Sequence, residues 1–406
     1  MNGDQKAPGP SRESVLRTTP PEACLLPQLT PLSQASRRVY PPDVQDAWDS
    51  SMSQSAGGID CDVHPAVPGM AALLPYLEPY WQEQVTVRGI DGLDLSSFPL
   101  QMDAHGRPDW REAGAKPGSS LNRLRTDALD GFGSQLAICN PLYGVLGLYN
   151  EHFAAAVARA MNDWLAAEWL DQEPRLRGSI VVPAQNPELA VDEIERRAGD
   201  RRFVQVLLLA QGDVPLGNRR LWPIYAAAER HGLTIGVHAG STFRHATTSN
   251  GWPSYHLEDY AAHAQAFQSN LLSLVHEGVF NKHPALTFVM IESGFTWLPT
   301  FMWRANKTWR GVRAEVPWVD RAPSELIRAH VRFTLQPTDA PPTGADMERL
   351  LDMIGSDDML LFSTDYPHWQ FDGHNVWPDG ISPALKRRIL VDNPRNAYPR
   401  LQEARP

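Results

Sequence analysis

Ile59-Asp60-Cys61-Asp62-Val63-His64-Pro65 is the stretch from which the fold of this 406-residue chain is read. An apolar residue opens it, β-branched Val63 favours an extended backbone, and Pro65 cannot donate to a ladder, so the segment reads as a short strand with an abrupt end. Side chains alternate along a strand, which puts Asp60, Asp62 and His64 on one face and Cys61 and Val63 on the other. A carboxylate and an imidazole therefore leave one strand end side by side, which is half of a divalent-metal site. An Asp-x-His triplet alone also reads as a hydrogen-bonded turn, so the remaining donors have to come from other elements.

Downstream, a long connection runs from residue 66 to about 133, with a helical patch near 76–81 and a polar stretch over 103–120. Connections of that length inside compact domains are usually functional, and this one is expected to roof a site. Beyond it, apolar runs and amphipathic segments alternate. Strands are predicted at 135–139, 176–182, 203–209, 233–238, 286–291, 331–335 and 359–363, and helices at 151–170, 187–198, 221–231, 257–277, 301–312 and 346–354. With the Asp62 strand that makes eight, each a nearly continuous apolar run, as parallel strands covered on both faces are. The class is α/β, and eight such strands with helices between them predict a closed (β/α)8 TIM barrel over 59–406 rather than an open doubly wound sheet.

Upstream, residues 1–58 are rich in Pro, Ser, Gln and mixed charge and carry the pairs Pro20-Pro21 and Pro41-Pro42. Such a composition cannot bury enough surface to offset its ordering entropy, so a disordered, low-complexity N-terminal extension is expected. Translation from Met52 is an open alternative. Three cysteines, Cys24, Cys61 and Cys139, form no Cys-x-x-Cys pair and speak for a reducing compartment. A formal charge of -10 excludes a general affinity for nucleic acid. No apolar run has membrane-spanning length, and no apolar segment follows a basic N-terminus. The expectation is a soluble cytoplasmic protein without nucleic-acid or membrane partners.

In a barrel, functional groups stand at the C-terminal ends of strands. His238 ends the fifth strand before Ala239-Gly240, and Asp365 ends the eighth in Ser363-Thr364-Asp365-Tyr366-Pro367-His368. Singly, His238 also fits a hydrogen-bonded core histidine and Asp365 a turn cap. Together, at matching strand ends, they converge with Asp62 and His64. With these motifs, with Val237-His238-Ala239-Gly240 and with a Leu298-Pro299 segment followed by Trp303-Arg304, the chain resembles the amidohydrolase-related family of metal-dependent barrels. That group includes aminocarboxymuconate-semialdehyde decarboxylase and γ-resorcylate decarboxylase. The resemblance runs from Ile59 to the C-terminus and implies that Asp62, His64, His238 and Asp365 hold one divalent ion, Asp62 standing where the family has His or Glu. It departs at the sixth strand. Decarboxylase-type members place a histidine where this chain has Glu292, which reads either as a proton carrier with a pKa raised by desolvation or as a charge partner of a nearby Arg or His. By the same resemblance Arg304 reaches into a neighbouring subunit's site and holds a substrate carboxylate, a task suited to a planar bidentate donor. Its plain alternative is a surface salt bridge. Arg244, His245 and His256, in the loop after the fifth strand, read as solvated loop residues.

An ion held by two imidazoles and carboxylates keeps open positions, and either lowers the pKa of a bound water or polarises a substrate oxygen. The resemblance thus implies a small carboxylated substrate, aromatic or unsaturated, and either non-oxidative decarboxylation or metal-water hydrolysis. Asp365 moves the proton in both, Glu292 is the reserve carrier, and Arg304 orients the substrate. Mixed ligation suits Zn²⁺ first and Mn²⁺ second. A homodimer or higher homo-oligomer is expected from the Arg304 crossing, with Phe301, Met302 and Trp303 suited to an interface core. A non-catalytic barrel that binds a metal or a small acid is the alternative.

Overall fold

The structure, a computed structural model, describes residues 57–93, 106–369 and 377–403. Eight strands stand side by side in chain order: β1 (Ile59–Val63), β2 (Leu136–Cys139), β3 (Leu176–Val181), β4 (Phe203–Gln211), β5 (Thr234–Ser241), β6 (Phe288–Ile291), β7 (Val331–Thr334) and β8 (Leu360–Leu361). Every neighbouring pair is parallel. The ring closes because the segment through β8 returns to β1. Cys61 N–H donates to Phe362 O at 2.9 Å, His64 N–H to Tyr366 O at 2.8 Å, and Asp365 N–H to Asp62 O at 3.1 Å. The chain therefore forms the expected (β/α)8 barrel, and the closing bonds also fix the first and eighth strand ends against each other.

The helices follow from caps and apolar stripes. In the β1–β2 connection lies α1 (Pro79–Arg88); the barrel helices are α2 (Glu151–Leu165), α3 (Pro187–Arg197), α4 (Trp222–Arg230), α5 (His256–His276), α6 (Leu298–Val312), α7 (Pro323–His330) and α8 (Gly344–Ile354). Asn150 accepts from Phe153 N–H at 3.0 Å and Asn186 from Leu189 N–H at 3.2 Å, each satisfying a donor that a helix start leaves open and worth about 1 kcal/mol. On α2, Phe153, Val157, Met161 and Trp164 form a buried stripe at helical spacing. The segment predicted as one helix over 151–170 divides, the last turn widening to a π-helix at Ala166–Leu170. Pro299 sits in the first turn of α6, where its missing N–H costs nothing, so this helix starts earlier than its apolar run suggests. At eight residues α7 is too short to show a period in sequence, yet it buries Leu326, Ile327 and His330.

One expectation needs correction. Leu298, Phe301, Met302 and Ala305, at i, i+3, i+4 and i+7, face the chain's own core, with Met302 fully buried, so Phe301 and Met302 are not available as an interface core. Trp303 and Arg304 are exposed on the other side of α6. The N-terminal extension, apart from Gly57 and Gly58, and Cys24 lie outside the described residues, within which Cys61 and Cys139 are buried free thiols. Among the described residues no helix is long and apolar enough to cross a membrane.

A small apolar cluster joins Ile59, Val204, Val289 and Leu361 of the strands to Ala397, Tyr398 and Leu401 of the C-terminal segment. Arg400 sits beside it, 2% exposed. Its guanidinium donates to the carbonyls of His231 (3.0 and 2.9 Å), Phe203 (2.7 Å), Ala198 (3.1 Å) and Asp200 (3.4 Å), tying together the chain that enters β4 and β5.

Candidate active site

Asp62 on β1, His64 just after it, His238 on β5, Glu292 just after β6 and Asp365 after β8 meet at the C-terminal ends of the strands, all buried. His64 Nε2 lies 3.2 Å from Asp62 Oδ1, 3.1 Å from Asp365 Oδ1 and 3.5 Å from Glu292 Oε1. His238 Nε2 lies 3.1 Å from Glu292 Oε1 and 3.8 Å from Asp62 Oδ2. His368 completes the group, its Nδ1 2.5 Å from Asp365 Oδ1 and 3.3 Å from Glu292 Oε1, with its ring stacked on that of His64 at 4.4 Å.

The imidazoles are set as metal ligands are. His64 Nδ1 donates to Asn140 O at 2.8 Å and His238 Nδ1 to Ala239 O at 2.5 Å, so each ring is held by one nitrogen and turns its Nε2 to the centre. Four buried atoms there, Asp62 Oδ2, His238 Nε2, Glu292 Oε1 and Asp365 Oδ2, have no hydrogen-bond partner. Buried polar atoms left unpaired cost free energy, and a cation among them removes that cost. The spacing agrees, since donors on one ion at bonds of about 2.1 Å stand about 3.0 Å apart in an octahedron and about 3.4 Å in a tetrahedron. Two overlapping four-residue sets have one donor atom each within 4.8 Å of the others: Asp62, His64, His238 and Glu292, and His64, Glu292, Asp365 and His368. The residues present therefore fit a divalent ion.

Electrostatics tell the same story. Burial disfavours charge on His64, but the carboxylates of Asp62, Asp365 and Glu292 hold its pKa well above the usual imidazole value. Burial likewise opposes charge on His368, and Asp365 beside it outweighs this and lifts it to about 9. Burial and the neighbouring Glu292 charge push Asp365 up to about 6. Burial would raise Glu292 too, yet the His238, His368 and His64 imidazoles hold it well below the usual carboxylate range. The carboxylates thus draw positive charge onto the imidazoles, charge that a bound cation would supply in its place.

Beneath the centre lies a polar network that sequence reading did not assign. Asn140, ending β2, donates from Nδ2 to Asp62 Oδ1 at 2.8 Å while its carbonyl holds His64, so one residue orients two donors. Asn140 Oδ1 in turn accepts from Ser179 Oγ and Gln205 Nε2, both at 2.6 Å. Gly236 on β5 makes room for this, because a Cβ there would stand 2.7 Å from Gln205 Oε1. Asp60, beside a register irregularity in β1 between Asp60 and Val63, accepts from Thr364 N–H (3.0 Å) and Thr364 Oγ1 (2.6 Å) and from Asp62 N–H (3.2 Å). Burial, resisted by those bonds, pushes Asp60 up to about 7. Polar residues interrupting apolar strand runs were the available signal.

Backbone geometry marks the same place. Among the described residues three non-glycine residues have positive φ: Phe243 (54°), Glu292 (58°) and Asp365 (56°). Such conformations cost on the order of 1–3 kcal/mol each and persist where the surroundings impose them. Two of the three carry site carboxylates, and Phe243 lines the adjoining cavity.

That cavity measures about 540 Å³ and has His64, His238, Glu292 and His368 in its wall. Its cover comes from the β1–β2 connection, as expected: Arg111, Glu112 and Lys116 line it, and Gly118, whose Cβ would stand 2.5 Å from His64 O, lets the cover sit directly on the end of β1. Residues 94–105 of this connection lie outside the described residues. On the opposite element, α5 turns His256, Asp259, Tyr260 and His263 toward the cavity at helical spacing. His256, read as solvated from sequence, is therefore a wall residue. Arg244 and His245 are loop residues, Arg244 paired with Asp213 at 2.6 Å and His245 with Gly212 O at 2.8 Å. Arg304 is not brought to this cavity; it stands exposed on α6.

The family model described as Amidohydrolase matches residues 59–400. The γ-resorcylate decarboxylase of Polaromonas sp. strain JS666 is 26% identical over 260 residues, covering 60% of this chain and 77% of the relative. Among solved structures, 5-carboxyvanillate decarboxylase from Sphingomonas paucimobilis superposes with a TM-score of 0.62 at 19% identity, over 85% of this chain and 99% of its own. The dihydroxybenzoic acid decarboxylase from Polaromonas sp. strain JS666, with bound manganese and the inhibitor 2-nitroresorcinol, gives a TM-score of 0.57 at 22% identity, over 84% and 96%.

Proposed function

We propose, from the premise that this chain belongs to the amidohydrolase family, that it removes carbon dioxide from a small aromatic carboxylic acid with the help of one divalent ion. The observation that carries this reading is the set of orphaned carboxylate and imidazole atoms at the wall of a cavity large enough for a substituted ring. The relatives named as decarboxylases of hydroxylated aromatic acids support decarboxylation over hydrolysis.

Asp62, His64, His238 and Asp365 would hold a divalent ion, which would supply positive charge for a carboxylate and a neighbouring oxygen. The side chains do the rest. Asp365 gives a proton from Oδ2, its unpartnered oxygen, to the ring carbon that bears the carboxylate. The bond to the carboxylate then breaks, its electrons restore the ring, and carbon dioxide leaves. His368, 2.5 Å from Asp365 Oδ1, sits toward the cavity and returns the proton from solvent. Phe243, Tyr260 and Trp369 supply apolar wall for the ring, and Arg111 on the cover is a cationic group within the same cavity. Arg304 could serve only a neighbouring subunit's cavity, which makes a shared-site oligomer part of this proposal. The mixed oxygen and nitrogen donor set and the manganese of a structural neighbour support Mn²⁺ beside Zn²⁺. Buried free thiols at Cys61 and Cys139 suit work in the cytoplasm.

The test is a panel of hydroxylated benzoic acids, unsaturated semialdehyde acids, lactones and amides, incubated with the Mn²⁺-loaded protein in deuterated water. Decarboxylation releases carbon dioxide and leaves one deuterium on the ring carbon. Addition of water to a lactone or amide, with every acid untouched, would replace this reading with hydrolysis.

A further inference from the structure

Glu292 follows β6 directly and is turned into the site by its positive φ, with its N–H donating to Thr334 Oγ1 at 3.0 Å. The turn is therefore held from β7, and the carboxylate has little freedom to swing away. Its Oε1 stands 3.1 Å from His238 Nε2, 3.3 Å from His368 Nδ1 and 3.5 Å from His64 Nε2. Despite three imidazole nitrogens at that range, Oε1 makes no hydrogen bond of acceptable geometry and is shut off from solvent. A salt-bridging or proton-donating carboxylate would aim along one N–H. Neither His64 nor His238 serves it: His64 Nε2 pairs with Asp365 Oδ1 at 3.1 Å, and His238 Nε2 is itself without a hydrogen-bond partner among the described residues.

An imidazole nitrogen and a carboxylate oxygen come this close with a proton or a metal ion between or beside them, and Glu292 Oε1 has no N–H aligned on it among the described residues. The separations of about 3.0 to 3.4 Å expected between neighbouring donors on one ion match Glu292 Oε1 against His238 at 3.1 Å, with His64 just beyond them at 3.5 Å. Asp62 and Asp365 stand at 3.2 and 3.1 Å from His64 Nε2, in the same range as Glu292 from His238. Glu292 also belongs to both sets of residues close enough to share an ion, whereas Asp62, His238 and Asp365 each belong to one.

We propose that Glu292 is a direct ligand of the ion, a fifth protein donor alongside Asp62, His64, His238 and Asp365, and not the carrier of the reaction's proton. This rests on the metal-dependent reading of the site given above. Its consequence is a donor set of three carboxylates and two imidazoles, harder than two of each kind, which shifts preference from Zn²⁺ toward Mn²⁺.

The experiment titrates Mn²⁺ into the metal-stripped wild-type, Glu292→Gln and Glu292→Asp proteins, following free Mn²⁺ by electron paramagnetic resonance, with Zn²⁺ as competitor. Thermal melts of the stripped proteins report folding. Glu292→Gln keeps the shape and loses the charge, and its Mn²⁺ affinity is expected to fall at least about tenfold while Zn²⁺ affinity falls less. Unchanged Mn²⁺ affinity with turnover abolished would make Glu292 the proton carrier and overturn the proposal. Should Glu292→Gln fail to fold, Glu292→Asp decides: its shorter arm cannot reach the same point, and an affinity equal to wild type overturns the proposal. A wild-type protein that binds neither ion defeats the metal reading itself, a result distinct from either variant outcome.

Discussion

The two ends of the barrel treat their buried charged side chains in opposite ways. Near the entry to β4 and β5, Arg400 is almost fully buried and each of its three nitrogens donates to a backbone carbonyl. Where the strands leave the barrel, four buried polar atoms of Asp62, His238, Glu292 and Asp365 have no partner, and two of those residues sit at positive φ. A fully paired cation at one end holds the fold together; a cluster of unpaired carboxylate and imidazole atoms at the other, two of its residues strained, is arranged to hold something that is not protein, whereas the unpaired Tyr398 Oη near Arg400 is a single hydroxyl. The contrast assigns stability to one end and chemistry to the other, so substitutions at each should separate the two properties.

The largest expected effect is on turnover. Asp365→Asn preserves shape and cannot carry the proton, so activity should fall about 10³-fold or more with circular dichroism and melting behaviour close to wild type. Activity near wild type would remove the chemistry from Asp365. At the other end, Arg400→Ala strands several buried carbonyls and should cost on the order of 3 kcal/mol in denaturant unfolding, while turnover below the unfolding range is retained. Loss of turnover in a fully folded Arg400→Ala protein would break the division between the ends.

Asn140 tests the join between the two. It touches no substrate but holds both Asp62 and His64, so Asn140→Ala is expected to weaken metal binding by about 10- to 100-fold, measured by chelator competition, with a smaller effect on turnover at saturating metal. Unchanged affinity would show that the Asp62 and His64 side chains are fixed without it.

Sequence reading went furthest where the signal is local and periodic. The eight apolar runs gave eight strands within a few residues, and Asp62, His64, His238 and Asp365 were legible because a closed barrel sends its strand ends to one place. Gln205 and Ser179 were not, since a polar residue inside a buried strand finds its partner only once register is known. His368 stood in plain view in its motif, but only the turn after β8 shows that its ring stacks on His64. The wall on α5 was missed because His256, Asp259, Tyr260 and His263 read as an ordinary polar helix face until the cavity is seen beside it. On α6 the error ran the other way: Phe301 and Met302 are apolar for this chain's own core, and sequence cannot say which core an apolar face serves.

The smallest effect concerns Arg304. Exposed and away from its own cavity, it contributes to catalysis only if it crosses to a neighbour. Inactive Arg304→Ala and Asp365→Asn chains, mixed after subunit exchange, should then recover about a quarter of wild-type activity, because about half the dimers are hybrid and each has one intact site in two. Mixed dimers verified by mass that stay inactive would leave Arg304 a surface residue.

The most direct test of the contrast between the barrel's ends is metal content. Elemental analysis of the purified protein should find about one divalent ion per chain, with chelation abolishing turnover and readdition restoring it. Arg400→Ala should keep that ion while His64→Ala and His238→Ala lose it. A wild-type protein that contains no divalent ion and still turns over substrate would contradict the account.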